Sequence, residues 1–540
     1  MSRHYSSIAR TALIALVLLA CASGASAQIT LPACSGTLLR FSVCEIVLSS
    51  NTSYANGYLN ASVTANFTLS GSSLTKTVNG FWDGGKVFKV RFNASNAGTW
   101  SYTTSSGDMS LNGKSGSFSV SSSLGTRGFV RRNSNNQEKF IFDNGTRYFM
   151  WGQTYYQIIS NARDNGTWRS SIDNSFGYNM NKVRMLLFPF GHFQPHDVDT
   201  RPFTDVAHDQ LDLTHWQKFD EIVNYLNQKP MIADVILFND NAVAYAPIGS
   251  PGAKAKDERY VRYALARLAA FPNVIWCMTN EWDGDHATNN NAGYWNDLGN
   301  IVLSEDPWMN QGGNQRALSI HQKTELAFQF LNSWPTHAIL QYGPRNLENL
   351  APYDWGNYGI TYNQGQSKHT LPVVNDEYGY IGEINRVAHR QAIWGIAVAG
   401  GYGSAGDFTT DQNTQPTISA DWKDHPEYGD ISHLVDFFVN HVSTWWQMTS
   451  QNPLVASGSH VYVLAQSGIR YVVYAATGGT FTLNLPVPSG ASSYRVFLYD
   501  PTTGIEQQLF PNVGSGLQTF TITRSPHSDT GNDWVLRIEV

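Results

Sequence analysis

Asn273-Val-Ile-Trp-Cys-Met-Thr-Asn-Glu281-Trp282-Asp283 joins an apolar, strand-like run, Val274 to Thr279, to an abrupt polar end at Asn280 and Glu281. The run does not alternate, which suits a strand buried on both faces, as in a parallel sheet covered by helices. Just upstream, Asp257 to Phe271 reads as a helix. Val261, Ala264, Leu265 and Leu268 recur at helical spacing, and Pro272 stops it. Helix, short turn, buried strand and a carboxylate at the strand's C-terminal end is the order found at a barrel enzyme's catalytic rim. Alone, the pattern also describes a surface glutamate opening a loop.

A second stretch repeats it. Leu371-Pro-Val-Val-Asn-Asp-Glu377-Tyr-Gly-Tyr is a short apolar run followed by Asn375, Asp376 and Glu377. Two buried strands that each deliver a glutamate to one rim supply the carboxylate pair of glycosidic bond cleavage.

Outward from these two strands, the chain between Leu124 and Asn452 alternates strand and helix. The predicted strands are Tyr148 to Gln153, Lys182 to Phe188, Met231 to Leu237, Val274 to Thr279, Ala317 to Ile320, Ala338 to Tyr342, Pro372 to Asn375 and Gly401 to Phe408. Helices are expected over Trp168 to Gly177, over Thr214 to Leu226 with a Thr214/Gln217 capping box, and over Ile431 to Trp446. Strand–helix units in this number predict a (β/α)₈ barrel over 124–452.

The flanks are all-β. In 28–123, Tyr58 to Leu69 and Lys86 to Phe92 alternate in period two, with Asp83-Gly-Gly85 as a turn. In 453–540, Arg470 to Tyr474 and Thr480 to Leu485 flank Gly478-Gly479 as a hairpin, and Asp500-Pro-Thr-Thr-Gly504 is a turn. Each flank is expected to form a β-sandwich, giving a multidomain α/β plus all-β chain.

Residues 1–27 read as an export signal. Arg3 and Arg10 precede the apolar core Thr11 to Ala20, and Ala25-Ser-Ala27 is a small-residue cleavage site. A soluble secreted product is expected ahead of lipid anchoring at Cys21. No later segment has the ~20 consecutive apolar residues that span a bilayer, so membrane insertion is not expected. Export makes a Cys34–Cys44 bridge the expectation, and Cys277, inside a buried strand, an inert thiol. The 540-residue chain has a net charge of −6 and no basic stripe, which argues against a nucleic-acid partner. Aromatic residues at 13% suit a sugar partner or a large aromatic core.

Tyr148-Phe-Met-Trp-Gly, Gly177-Tyr-Asn-Met-Asn-Lys-Val-Arg184, Asn280-Glu281-Trp282, Pro372-Val-Val-Asn-Asp-Glu377-Tyr-Gly-Tyr and Gly400-Gly-Tyr-Gly403 carry a resemblance. Through them the barrel resembles the apiosidase-like family, within the clan of retaining (β/α)₈ glycosidases. Gly80-Phe-Trp-Asp-Gly-Gly with Gly98-Thr-Trp-Ser-Tyr looks like the β-sandwich that often precedes such barrels. Tyr471-Val-Val-Tyr with Asp500-Pro-Thr-Thr-Gly looks like the collagen-binding-type sandwich that often follows.

The resemblance implies that Glu281 is the acid/base and Glu377 the nucleophile. It also implies that Asn280 bonds the sugar 2-hydroxyl, that Arg184 keeps Glu377 ionised and oriented, and that Tyr342 gives Glu377 a further hydrogen bond. Of the competing acids, Asp376 cannot face the site in the same way as Glu377, because adjacent strand residues alternate. Asp283, Asp285 and Glu383 flank the pair, and Asp240 and Asp407 are subsite candidates. His192-Phe-Gln-Pro-His196 has a metal-like spacing. Pro195 argues against the helix that would bring both imidazoles together, so His192 is read as a sugar contact on a rim loop. Trp151, Tyr155, Trp282, Trp355, Tyr378 and Tyr402 are subsite candidates or core residues.

No metal and no cofactor is expected. The expected partner is an oligo- or polysaccharide of plant or algal cell walls, attacked in exo or endo fashion. The reading from a different class is a non-catalytic carbohydrate-binding or adhesion protein that keeps the barrel.

Overall fold

The computed structural model describes residues 28–163, 166–188, 201–239, 252–284, 291–323, 328–330, 332–341, 371–379, 381, 385–406 and 425–540. At its centre is a parallel sheet that closes on itself. Its order runs from Leu318–Ser319 through Val274–Thr279, Ile232–Phe238, Lys182–Leu186, Trp151–Thr154, Tyr402–Gly406, Val373–Asn375 and Ala338–Leu340 to His321–Gln322. The first and last segments are two halves of one strand, interrupted at Ile320. One half pairs with the fourth barrel strand (Trp276↔Leu318) and the other with the sixth (His321↔Ile339), which closes an eight-stranded barrel. Each observed strand overlaps a predicted one or lies within two residues of it, although the first begins at Trp151, three residues later than predicted.

Alternation along the strands divides the core. On Ile232–Phe238, Ala233, Val235 and Leu237 face the helices, while Asp234 and Ile236 face the barrel axis. Leu186, Ile236, Cys277 and Ile339 form an apolar layer inside the barrel, just beneath Tyr156. Burial pushes the Cys277 thiol up to about 12, consistent with an inert core residue.

The helix Leu213–Gln228 turns Trp216, Phe219, Val223 and Leu226 inward as expected. Its cap differs from the expectation. Asp212, not Thr214, is the N-cap, its carboxylate accepting from the His215 amide at 3.1 Å. The closing helix is Glu427–Asp436, and the chain then widens its turn over Phe437–His441. Arg147–Tyr148 is not part of the first barrel strand. It pairs with Phe140–Phe142, which pairs with Val130–Arg132, and Phe140 meets Tyr402 beneath the strands' N-terminal ends.

The N-terminal sandwich packs a five-stranded sheet on a three-stranded one, with Phe67 of the first stacked on Phe92 of the second at 3.8 Å. Phe81–Trp82 and Val87–Asn93 pair across the turn at Asp83, and a disulfide joins Cys34 to Cys44. The C-terminal domain has a six-stranded and a three-stranded sheet. Here the predicted hairpin fails: Arg470–Ala475 lies in the larger sheet and Gly479–Leu485 in the smaller. Gly478-Gly479 turns the chain from one sheet to the other, a use of paired positive-φ glycines that local sequence does not distinguish from a hairpin turn.

Buried ions dock both flanks. Arg91 of the sandwich donates to both carboxylate oxygens of Asp220 (2.9 and 2.7 Å) and to Glu45 (2.9 Å). Arg267 of the barrel holds Asp220 from the other side and reaches Asp83 of the sandwich at 2.9 Å. At the C-terminal side, Arg390 on the helix Arg386–Val398 bonds both oxygens of Asp533 (2.9 and 2.7 Å), while Trp394 stacks on Tyr474. A guanidinium fork facing a carboxylate sets both distance and orientation.

Candidate active site

Strand four ends at Thr279, and Asn280 and Glu281 follow at the barrel mouth. Glu281 adopts a left-handed backbone, φ 46°, which is uncommon for a residue with a Cβ and is held only where neighbours enforce it. They do so here: the Trp282 amide donates to His321 O and the Gly284 amide to Glu281 O, both at 2.9 Å. The turn redirects the Glu281 side chain from the strand's own alternation into the mouth.

Strand seven ends at Asn375, and Glu377 lies two residues beyond it. Its Oε2 accepts from the Tyr156 hydroxyl at 2.8 Å. That hydroxyl in turn accepts from Arg184 Nη1 at 2.7 Å, and Arg184 Nη2 donates to Asn280 Oδ1 at 2.7 Å. One guanidinium therefore ties the end of strand four to the group that holds Glu377. A guanidinium can only donate, so the Asn280 atom facing it is the oxygen. His321 Nδ1, 2.6 Å from that same oxygen, must then carry its proton. The Asn280 amide presents Nδ2 with no partner among the described residues.

Burial pushes the Glu281 carboxyl above its ordinary value, and the charge of Glu377 adds to the rise. Lys323, with Nζ 3.3 Å from Glu281 Oε2, and Gln341 oppose it. Glu281 thus feels the charge of Glu377 at the same end of the barrel.

Asp376 belongs to a different layer. As expected, it does not face the site in the way Glu377 does. Its carboxylate points down the barrel, 2.5 Å from Lys182 Nζ and 2.7 Å from the Ser404 hydroxyl. Burial favours its neutral form, but Lys182 and Arg184 outweigh this and hold it low. Asp234, on the other side of Lys182 at 3.3 Å, is instead pushed up by burial and by Asp376. This buried trio supports the floor beneath the mouth.

The aromatic candidates separate. Trp151 and Tyr378 are fully buried, their rings 6.1 Å apart, and act as core of the barrel. Tyr402 is buried against Phe149, and Tyr155 turns its hydroxyl to Ser175 beneath a helix. Trp282 is buried with its ring edge-on to Phe330 at 5.2 Å. Tyr342, His192, Trp355, Asp240, Asp285, Glu383 and Asp407 lie outside the described residues. Tyr156, His321, Lys323 and Gln341 were not singled out from the sequence. Among the described residues no cluster of metal-ligating side chains occurs, and no helix is long and apolar enough to cross a membrane.

Residues 134–436, more than half of the chain, match the family model of the apiosidase-like catalytic domain. The chain belongs to the apiosidase-like family. Ahead of this domain, residues 37–107 match a domain of unknown function, DUF5060. No curated protein matches the sequence.

Among solved structures, the chain is similar to a candidate glycoside hydrolase from Bacteroides vulgatus, with 21% identity and a TM-score of 0.74 over 94% of this chain and 99% of that one. It is also similar to a glycoside hydrolase family 5 protein from the same organism, with 16% identity and a TM-score of 0.61 over 76% and 94% of the two chains. At these identities the likeness is one of fold. For this apiosidase-like chain it extends over both flanking domains as well as the barrel.

Proposed function

We propose that the chain is a secreted, retaining glycoside hydrolase acting on a plant or algal cell-wall polysaccharide or its side chains. Family membership supports glycosidase activity, and the export reading of residues 1–27 supports secretion. In this reading Glu377 attacks C1 while Glu281 protonates the leaving oxygen. Glu281 then deprotonates the water that releases the sugar from Glu377, with net retention.

The observation that carries the reading is the pair of environments. Burial and the charge of Glu377 favour a protonated Glu281, the form an acid needs, while Glu377 accepts the Tyr156 hydrogen bond expected of an ionised nucleophile. Asn280 Nδ2 supplies a donor for the sugar 2-hydroxyl. Arg184 supports Glu377 through Tyr156, so its influence on the nucleophile is relayed.

Screening the mature protein against a panel of plant and algal glycans tests this. Hydrolysis of at least one, lost in Glu377→Ala, is expected. Binding without hydrolysis across the panel would favour the non-catalytic carbohydrate-binding reading.

A further inference from the structure

A cavity of about 950 Å³ opens at the other end of the barrel, among the loops that lead into strands two, three and four. Its size lies at the upper end of small-molecule sites. No carboxylate lines it. Its one cation, Arg127, is engaged, with the guanidinium 3.9 Å over the Phe142 ring and donating to Pro230 O at 2.9 Å. Amides dominate the polar lining. The side-chain amides of Asn227 and Gln228 make no hydrogen bond to another described residue, whereas buried Asn273 donates its amide to Val223 O and Met231 O at 3.1 and 3.2 Å. Phe176, 43% exposed, offers an apolar ring at the edge.

We propose that this cavity is a second carbohydrate site, taking an uncharged sugar unit at the end of the barrel opposite Glu281 and Glu377. An amide places a donor and an acceptor side by side, which matches hydroxyls that both donate and accept. The Phe176 ring matches the apolar C–H face of a sugar, and the absence of free charge disfavours an acidic one. The inference does not depend on the catalytic reading. A glycan held here raises the effective concentration of its neighbouring segments around the enzyme.

Hydrogen–deuterium exchange on full-length mature Glu377→Ala protein tests the site, with cellotetraose, xylotetraose and mannotetraose as probes and polygalacturonate as the anionic comparison. At least one neutral probe should protect residues 176–181 and 227–232, with at least tenfold weaker affinity in the Phe176→Ala/Gln228→Ala variant. Both side chains are exposed, so that variant should fold. No protection of these segments by any neutral probe, or protection undiminished in the variant, would overturn the proposal. Equal protection by polygalacturonate would overturn the assignment to an uncharged sugar. Protection near Glu281 is a separate readout, so failure of the catalytic reading leaves this result interpretable.

Discussion

Tyr156 joins Arg184 to Glu377, and its neighbour Tyr155 points the other way, under a helix. The sequence points to Tyr155 rather than Tyr156, because one residue of offset past the end of a strand reverses the facing and no pattern marks that end. Replacing Tyr156 by Phe removes a hydrogen bond to a charged group, worth about 1.5–3 kcal/mol. The expected result is a fall of about 10- to 100-fold in kcat/KM, with circular dichroism unchanged. Lys323 acts on the other glutamate. A cation beside a carboxyl favours its ionised form, so Lys323→Met should raise Glu281 further. With Glu281 as the acid of the first step, as proposed, the alkaline limb of kcat/KM should move to higher pH. A limb that stays in place would show that Lys323 does not act on the acid.

Most of the barrel was legible because buried parallel strands leave continuous apolar runs. Strand five was the exception: its reading stopped at Ile320, whereas the strand resumes at His321–Gln322 and closes the barrel. Its polar half hid both His321 and Lys323. The usable signal was the switch from apolar to polar after Ile320, the same switch that follows Thr279. Closure also depends on Gly152 of strand one. A Cβ there would sit 2.5 Å from Lys182 O and 2.7 Å from Lys182 Cβ on strand two. Backbone cannot yield as a flexible side chain can, so Gly152→Ala should cost about 1–3 kcal/mol in urea denaturation. An unchanged midpoint would mean that the two strands separate more easily than their pairing implies.

Both flanking domains are held to the barrel by buried charges, and those contacts were invisible in the sequence because their partners lie far apart along it. Arg91 and Asp220 are 129 residues apart, yet meet through two hydrogen bonds. Arg91→Met leaves Asp220 and Glu45 short of a cation in a buried interface. A loss of about 3–5 kcal/mol is expected in chemical denaturation of the mature protein. A loss well below 1 kcal/mol would mean that the sandwich rests on the barrel by apolar packing alone. The long-range ion pairs tie the barrel to both flanks, and the mouth that carries Glu281 and Glu377 lies in the domain between them.

The division of labour between the two glutamates is tested most directly by azide. With an aryl glycoside, whose leaving group needs no proton, Glu281→Ala should form the glycosyl-enzyme and then stall for lack of a base. Azide needs no deprotonation, so it should restore turnover and yield a glycosyl azide of the substrate's own anomeric configuration. Glu377→Ala should instead yield the opposite anomer. If the two variants exchange these behaviours, the assigned roles are reversed; if neither loses activity without azide, the reaction takes place elsewhere on the chain.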